Sequence, residues 1–519
     1  MSVSRFGTFI GALVAPGSLV RQAAVGLCAG LLIGCSLPPI GLWPCGPLGV
    51  ALFLLSPRNA RLIERIARGL FAGIGQFVIG CSFALQFTAF GYVALVMVEA
   101  CFIALSFVLA PSTKGRYVSL VGLLALGEFA REHVPFGGLP IGGIALGEAN
   151  GPLAGLARLG GPILVAAATY LTGAGICTFV RAMSIALHDK KRKGADTAIG
   201  EFASCGVVLI LLTGALLFAD LAPHGGTARR VDAVVIVQGG GARGLNEFEV
   251  PASTVFAAQL TPTEELKGPV DLVVWPEDTI KLATSLSGSR ASSLIGNEAS
   301  RLHATFLAGV TVNVGKTRFL NEIVAWGPSG SIVASFEKVH AVPFGEYVPD
   351  RSFFEHFASF AAVPRDAIVG HASGEITTPA GRFALMMSYE TFYAERGRSG
   401  VRAGGQLIVV PTNTASYAND AVPAEELAAS RLQAISEGRY LLQVATTGYS
   451  AVINTSGRVL LRSNLGSRDV LRVEAPLLAG ATIYERFGDG PTLLGCLAAV
   501  FLGWALALRR RRVRGPRSC

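Results

Sequence analysis

Long apolar runs alternate with short basic stretches through the first 220 residues, and one more apolar run closes the chain. Runs near 22–39, 42–56, 70–89, 91–110, 117–131, 161–180, 203–220 and 490–508 approach the ~17–25 residues a helix needs to cross a bilayer. They predict eight spans, of which the second and fifth are short. Pro38, Pro39, Pro44 and Pro47 set a tight turn between the first two. The glycine-rich stretch 135–161 is too broken to span and predicts a loop dipping toward the interface where protein covers its backbone. From about 230 to 485 the pattern changes. Strand-like runs at 231–237, 272–275, 305–312, 319–326, 331–336, 382–387, 406–410, 441–445, 450–454 and 458–461 alternate with helical patterns, notably 423–438. This predicts a layered α/β domain, with 320–326 and 331–335 as a hairpin.

Charge changes this picture by giving it a direction. Only 15% of residues are charged and 51% are hydrophobic, with a net charge of +9. The basic residues do not form a nucleic-acid face. They follow alternate apolar runs: Arg58, Arg61, Arg65 and Arg68 the second, Lys114 and Arg116 the fourth, Arg181 and Lys190–Lys193 the sixth, Arg509–Arg512, Arg514 and Arg517 the last. The positive-inside rule then puts these loops and the C-terminus in the cytoplasm and the central block outside. The expected domains are 1–221 (membrane helices 1–7), 222–488 (extracytoplasmic) and 489–519 (helix 8 and basic tail). The first apolar segment reads as a retained anchor, since no small-residue cleavage site follows it. None of the nine cysteines falls in the central block, so no disulfide framework is expected there. No metal-ligand spacing or phosphate-binding glycine loop is visible, and no cofactor is expected. A transporter reading is weak because the spans show no paired charges, Glu99 and Glu128 being the main candidates.

Three strand ends carry chemistry. Glu277 follows a buried-looking strand in VVWPEDT, Lys338 follows another in FEKVHAVPFGEYVP, and Ser388 ends a third in FALMMSYE. An acid, an ammonium and a small nucleophile at strand ends supply the parts of nucleophilic acyl transfer. Glu277 is the candidate base and Lys338 the group that meets the developing oxyanion. Glu346 is placed to fix Lys338, and Glu390 to orient the site. His340, two residues from Lys338, is given no triad role.

The segments WPE at 275–277, K-x-H-x-VPFGEYVP at 338–349, SYE at 388–390 and GRxxLxxATTGYSAVI at 438–453 resemble the signatures of the apolipoprotein N-acyltransferase family, a membrane-embedded branch of the nitrilase (carbon–nitrogen hydrolase) superfamily. The resemblance implies eight spans and an extracytoplasmic nitrilase-like domain with a four-layer α-β-β-α sandwich. It implies Glu277 as base, Lys338 as oxyanion stabiliser, position 388 as nucleophile and Glu346 as a further essential acid. Trp275, Tyr389, Glu390, Asn413 and Tyr417 are implied to bind or orient substrate. An acyl chain would pass from a phospholipid through an acyl-enzyme to the N-terminal amine of a diacylated apolipoprotein. The setting would be the bacterial inner membrane, with the catalytic domain on the periplasmic face and the protein a monomer without nucleic-acid partners. Phe353, Phe354, Phe357 and Phe360, at helical spacing, read either as an interfacial arm or as a helix packed on its own domain.

That family places a cysteine where this chain has Ser388. An alcohol is a far poorer nucleophile than a thiol without a strong base, so the chain as written is expected to be slow or inactive. An introduced Cys-to-Ser change, a natural serine-using branch and a lipid-binding pseudoenzyme all fit. A membrane-tethered amidase or an acyltransferase for another amine is the alternative activity.

Overall fold

The computed structural model describes residues 18–55, 60–113, 115–188, 192–244, 249–356, 359–360 and 362–513. Arg58, Lys114, Lys190, Lys191, Phe357, Arg514, Arg517 and Cys519 lie outside the described residues. The chain divides into two compact units, Met1–Leu221 with Asp489–Cys519, and Ala222–Gly488.

The first unit is helical. Among the described residues, five helices are long and apolar enough to cross a membrane: Leu19–Ser36, Ala89–Leu109, Ala154–Leu187, Gly194–Leu221 and Gly490–Arg509. The helices at the second and fifth expected spans are Cys45–Leu54, of 10 residues, and Arg116–Arg131, of 16. At 1.5 Å per residue the first of these reaches only about 15 Å. The third expected span is displaced. Its helix runs Leu62–Gly80 rather than 70–89, so it takes the charged residues Glu64, Arg65 and Arg68 into its first turns. Glu64 accepts the Arg61 backbone N–H at 3.1 Å, which starts the helix early, and Thr88 caps the next one through Gly91 N. Glycines let these helices touch. A Cβ on Gly30 would lie 1.9 Å from the Ala72 carbonyl oxygen, and one on Gly73 2.5 Å from Ala100 Cα, the close approach that small residues permit between membrane helices.

The 135–161 stretch is covered by protein. It forms a short helix, Ile144–Gly147, flanked by 3₁₀ turns, and its backbone carbonyls are bonded by side chains: Gln76 Nε2 donates to Gly142 O at 2.9 Å and Arg131 Nη2 to Ile141 O at 2.5 Å. The expectation of unpaired charges in the spans is overturned. Arg131 Nε pairs with Glu99 at 2.7 Å and Nη1 with Glu128 at 3.3 Å, and Tyr170 OH donates to Glu128 at 2.8 Å. Glu99 and Tyr170 come from distant sequence positions, which hid the cluster.

The second unit is built on two sheets. Its strands are β1 Ala228–Gln238, β2 Leu272–Val274, β3 Ile280–Leu282, β4 Thr305–Val314, β5 Arg318–Trp326, β6 Ile332–Glu337, β7 Asp366–Ile368, β8 Glu375–Thr378, β9 Gly381–Leu385, β10 Leu407–Thr412, β11 Leu441–Ala445, β12 Ala451–Ile453, β13 Val459–Arg462 and β14 Asp469–Leu478. One sheet has the order β14-β1-β2-β4-β5-β6, with β3 added to β4 and β7 to β5; the other runs β13-β12-β11-β10-β9-β8. In the first, β1, β2 and β4 are parallel; in the second, β9, β10 and β11 are parallel. The β5–β6 hairpin is antiparallel, pairing Val324 with Ser335. Strands β3, β7, β8 and β14 go beyond the sequence expectation. The last pairs with the whole of β1 and alternates half-buried and exposed residues over its first six positions.

Alternation along the strands sorts the core. Val234, Leu307, Phe336, Phe383, Leu385, Val409 and Val444 form a shared apolar cluster drawn from both sheets. The opposite face of the first sheet packs Trp275, Phe306 and Trp326 with Ile295, Ala299 and Leu302 of the helix Arg290–Leu302. The opposite face of the second packs Ile408, Val410 and Leu441 with Leu427 and Ala434 of the helix Ala421–Glu437.

Replacing Arg131 by Met leaves Glu99 and Glu128 buried without their cation. Breaking a buried pair in this way costs on the order of 3–5 kcal/mol. Thermal unfolding in detergent is expected to move to clearly lower temperature; an unchanged midpoint would show that the cluster carries no structural load.

Candidate active site

Parallel strands end together, and the loops that leave them bring distant residues to one place. Glu277 leaves β2 through Trp275-Pro276, with Asp278 in the left-handed region at φ +61°. That turn lies against β4. A Cβ on Gly309 would stand 2.5 Å from Glu277 Cα and 2.5 Å from Pro276 O, so glycine is needed there for steric reasons. Lys338 follows β6, and its backbone N–H donates to Asn321 O on β5 at 2.9 Å.

The side chains form a compact charged cluster. Lys338 Nζ lies 2.9 Å from Glu277 Oε1 and 2.7 Å from Glu346 Oε1. Asn321 Nδ2 donates to the same two oxygens at 2.9 and 3.3 Å. The other oxygen of Glu277 accepts the Asn413 backbone N–H at 3.1 Å, and that of Glu346 accepts Val342 N–H at 2.8 Å, closing its own loop. Lys338 is 3% exposed and Glu277 4%. Burial pushes the Glu277 carboxyl above the ordinary carboxylate range, with Glu346 adding to the rise and Lys338 opposing it. For Lys338, burial works against the charge, but Glu277 and Glu346 outweigh it and hold the ammonium well above its usual range.

Ser388 begins a 3₁₀ turn, Ser388–Phe392, that follows β9. Its φ is +48°, an uncommon conformation for a residue with a side chain, and one that recurs where a nucleophile is thrust out of a strand end. Glu390 holds this turn. Its Oε2 accepts Met387 N–H at 2.8 Å, while Oε1 accepts Val339 and His340 N–H at 2.8 and 3.0 Å. One carboxylate therefore ties the serine turn to the lysine loop. Ser388 Oγ lies 3.1 Å from Thr412 Oγ1 at the end of β10, and Thr412 Oγ1 lies 2.6 Å from Glu426 Oε1. Glu426 sits near the start of the Ala421–Glu437 helix, fully buried. Asn413 braces the base loop, its Nδ2 donating to Asp278 at 3.1 Å and its Oδ1 accepting from Thr446 at 2.8 Å. Tyr417 stands among the acids: burial, then Glu426, Glu346 and Glu277, push its phenol up to about 12.

Some residues read as substrate-facing are elsewhere. Trp275 is fully buried on the helix-covered face of the first sheet, with Nε1 donating to Thr263 at 3.0 Å and edge contacts to Phe256 and Phe306. Its ring is enclosed in that core, so it does not line an acyl pocket beside Glu277. Tyr389 is buried, edge-on to Tyr393. His340 stacks on Tyr393 at 4.3 Å. The phenylalanine segment forms only one helical turn, Arg351–Phe354; Phe354 and Phe360 pack on Phe344, while Phe353 is half exposed. Sequence reasoning missed Asn321, Thr412 and Glu426 as members of the site. The available signal for Asn321 was a polar residue inside the otherwise apolar strand FLNEIVAW.

Replacing Lys338 by Met leaves Glu277 buried without its cation and raises its pKa further. Protonating that carboxyl relieves the unpaired charge, so the stability deficit of the variant is largest above the raised pKa of Glu277 and shrinks as pH falls through it. In the parent protein the lysine's contribution is fully present below about pH 10.5 and is lost only as pH rises through its raised pKa. Unfolding midpoints of both proteins at pH ~5 and ~8 test this: the gap should be wider at the higher pH. A gap that widens toward acid would refute the assigned electrostatics.

Comparison with known proteins bears on what this cluster serves. Residues 259–482 match the carbon–nitrogen hydrolase family, and residues 29–175 match the apolipoprotein N-acyltransferase N-terminal domain. The apolipoprotein N-acyltransferase of Azotobacter vinelandii is 28% identical over 530 residues, covering 96% of this chain and 97% of its own. That of Mycolicibacterium smegmatis is 28% identical over 491 residues, covering 89% and 80%. Among solved structures, Saccharomyces cerevisiae Nit3, a nitrilase-superfamily member, matches 48% of this chain and 91% of its own at 16% identity and a TM-score of 0.37. An amidase from Nesterenkonia sp. matches 49% and 95% at 18% identity and a TM-score of 0.34. Matched in both of its units, the chain carries a carbon–nitrogen hydrolase domain and an apolipoprotein N-acyltransferase N-terminal domain, and along nearly its full length it is similar to enzymes that transfer acyl groups, the apolipoprotein N-acyltransferases.

Proposed function

We propose that the protein moves an acyl chain from a phospholipid to the N-terminal amine of a diacylated apolipoprotein through an acyl-enzyme on residue 388. The observation that carries this reading is the buried Glu277–Lys338–Glu346 cluster beside a strand-end hydroxyl held at positive φ. In the first half-reaction the Ser388 oxygen attacks the carbonyl carbon of the donor ester and loses its proton to a base. The carbonyl oxygen takes up negative charge near the Lys338 ammonium. The bond to the glycerol oxygen then breaks, and the lysophospholipid leaves with a proton. In the second half the acceptor amine attacks the serine ester, an amide forms, a proton is lost from nitrogen and the hydroxyl is restored. Glu277 serves as the acid–base group, with its pKa raised toward working pH as such a role requires. Glu346 and Asn321 hold Lys338 and Glu277 in register, Glu390 holds the two loops together, and Asn413 and Tyr417 border the opening.

The same proposal extends to the surroundings. Domain 222–488 is a four-layer α-β-β-α sandwich on the periplasmic face of a bacterial inner membrane. It sits between seven spans (1–221) and an eighth with a cytoplasmic tail (489–519), and the protein acts as a monomer. Donor ester at headgroup depth and a membrane-borne acceptor suit an enzyme tethered in this way.

Position 388 supplies the test. A thiol is partly ionised at neutral pH, whereas an alcohol depends on its base. Incubated with phospholipid, Ser388→Cys is expected to gain one acyl mass as a thioester at least roughly tenfold faster than the serine protein gains an ester. A diacylated lipopeptide bearing a free N-terminal amine should discharge the adduct. A folded Ser388→Cys protein that never acquires acyl mass would sink the reading. Discharge by ammonia or a soluble amine but not by the lipopeptide would favour an amidase-like or other-amine activity.

A further inference from the structure

The two oxygens of Glu277 are not equivalent. Oε1 receives two donors, Lys338 Nζ and Asn321 Nδ2, both at 2.9 Å, which fills its two lone pairs. Among the described residues Oε2 receives one, the Asn413 backbone N–H at 3.1 Å, and keeps a lone pair with which to accept a proton. The Asn413 amide therefore sets the direction of that lone pair, and it comes from the other sheet, on the loop after β10. The Asn413 side chain ties this loop down at both ends. Its Oδ1 accepts from Thr446 Oγ1 at 2.8 Å and from Ala415 N–H at 3.2 Å, while its Nδ2 donates to Asp278 Oδ2 at 3.1 Å. Asp278 is in turn anchored to the first sheet. Its Oδ1 accepts from Thr311 Oγ1 at 2.8 Å, and Lys281 Nζ lies 2.7 Å from its Oδ2. Lys281 and Thr311 are register partners on β3 and β4, so the two anchors stand side by side. The φ of +61° at Asp278 is one that Asp and Asn adopt more readily than other side-chain-bearing residues.

We propose that Asp278, anchored by Lys281 and Thr311, is a positioning residue that locks the Asn413 amide onto Glu277 and so aims the oxygen that takes the nucleophile's proton. The inference rests on the reading of Glu277 as the acid–base group of the acyl transfer. Asp278 takes no proton itself. As the residue-388 nucleophile bonds to the ester carbon, its proton passes to Glu277 Oε2; when the ester C–O bond breaks, the same proton goes to the leaving glycerol oxygen. An N–H donated to a carboxylate also favours its ionised form. Loosening the Asn413 amide removes that support and moves the ionisation of Glu277 to higher pH. A base must be ionised to accept a proton, so the rising limb of the acylation rate moves up with it. The charged and titratable groups facing Glu277 are Lys338 after β6, Glu346 on the PFGEYVP loop, Tyr417 after β10 and Glu426 on the helix Ala421–Glu437. Lys338 stays protonated through neutral pH and the Tyr417 phenol does so up to about 12. Burial pushes Glu426 up to about 7, and its titration is common to every protein compared. Removing Asp278 alone would strip a negative charge from beside Glu277 and oppose the shift; removing it together with Lys281 leaves the net charge unchanged, so the loss of the clamp is read by itself.

The experiment follows acyl-enzyme formation on the full-length Ser388→Cys protein in mixed phospholipid–detergent micelles, read by intact mass between about pH 5 and 9. Into this background go Asp278→Asn/Lys281→Met, Asn413→Ala, and all three changes together. The pair variant and Asn413→Ala are each expected to lose about tenfold in maximal rate at pH 7, with the phospholipid concentration at half-maximal rate unchanged within about twofold. The rate limb of the pair variant is expected about one pH unit higher than that of the background. Because Asp278 works through Asn413, the triple variant is expected to lose about tenfold as well, and not the roughly hundredfold of two independent defects. If the pair variant shows no cooperative unfolding transition, Thr311→Val, which removes one anchor and keeps the turn, replaces it in the same cycle with about a threefold loss. Losses that multiply in the triple variant overturn the clamp and leave the acyl-enzyme reading standing, as does a pair variant with the rate and pH profile of the background. Failure of the Ser388→Cys background itself to acylate removes the acyl-enzyme reading, and the clamp falls with it.

Discussion

The second unit is organised around one ammonium held out of water between two carboxylates. An ion taken from water into a low-dielectric interior loses several kcal/mol of solvation, repaid only by good geometry and satisfied hydrogen bonds. Lys338 meets that condition at 2.9 and 2.7 Å from its two partners, and every further contact in the cluster serves to hold those distances. Asn321 bonds both acids at once. Gly309 lets the Glu277 turn lie on β4. Val342 N–H closes the Glu346 loop. Each of these comes from a different element, so the charge can stay buried only if the two β-hairpin strands, the β2 exit and the PFGEYVP loop are all in place.

A further carboxylate, Glu390, extends that constraint to Ser388. Glu390 accepts backbone N–H groups from both sides, Met387 next to the serine and Val339 next to the lysine. It fixes the spacing between the Ser388 turn and the Lys338 loop through backbone N–H groups. Backbone anchoring of this kind is stiffer than side-chain packing, since amide groups carry no rotamers. The positive φ at Ser388 belongs to the same device. The turn can bring the serine off the end of β9 only in a conformation that a side chain resists, and the Glu390 bonds hold it there.

What the sequence made legible follows from what is local. Glu277, Lys338 and Ser388 stood out because each follows an apolar strand, and strand ends converge in parallel sheets. Glu346 stood out because it is eight residues from the lysine it binds. Asn321, Thr412 and Glu426 escaped because their importance lies in pairings across the sheets and a helix, which spacing does not encode. Trp275 was misread for the opposite reason: it lies two residues from Glu277 in sequence, but past the end of β2 its ring packs into the helix-covered core while the carboxylate turns to the charged cluster. The strand β14 was overlooked because its half-exposed alternation is weaker than the continuous apolar runs of buried strands. In the membrane unit, Glu99 and Glu128 looked unpartnered because Arg131, at a helix end, reads as a flanking cation until the fold turns it inward.

The choice between a working site and a mere binding fold can be argued from cost. A buried ion cluster contributes little net stability compared with apolar residues of the same size, and a side-chain-bearing residue at positive φ costs roughly 1–3 kcal/mol. A domain that needed only to fold, or only to hold lipid, would be as stable or more so with Leu, Met and Gly at these positions. Here a buried ion cluster and a serine at positive φ lie at strand ends tied together by Glu390. Exchanging sulfur for oxygen at position 388 alters the nucleophile while leaving that apparatus intact. These unfavourable terms around Ser388 support the proposed acyl transfer.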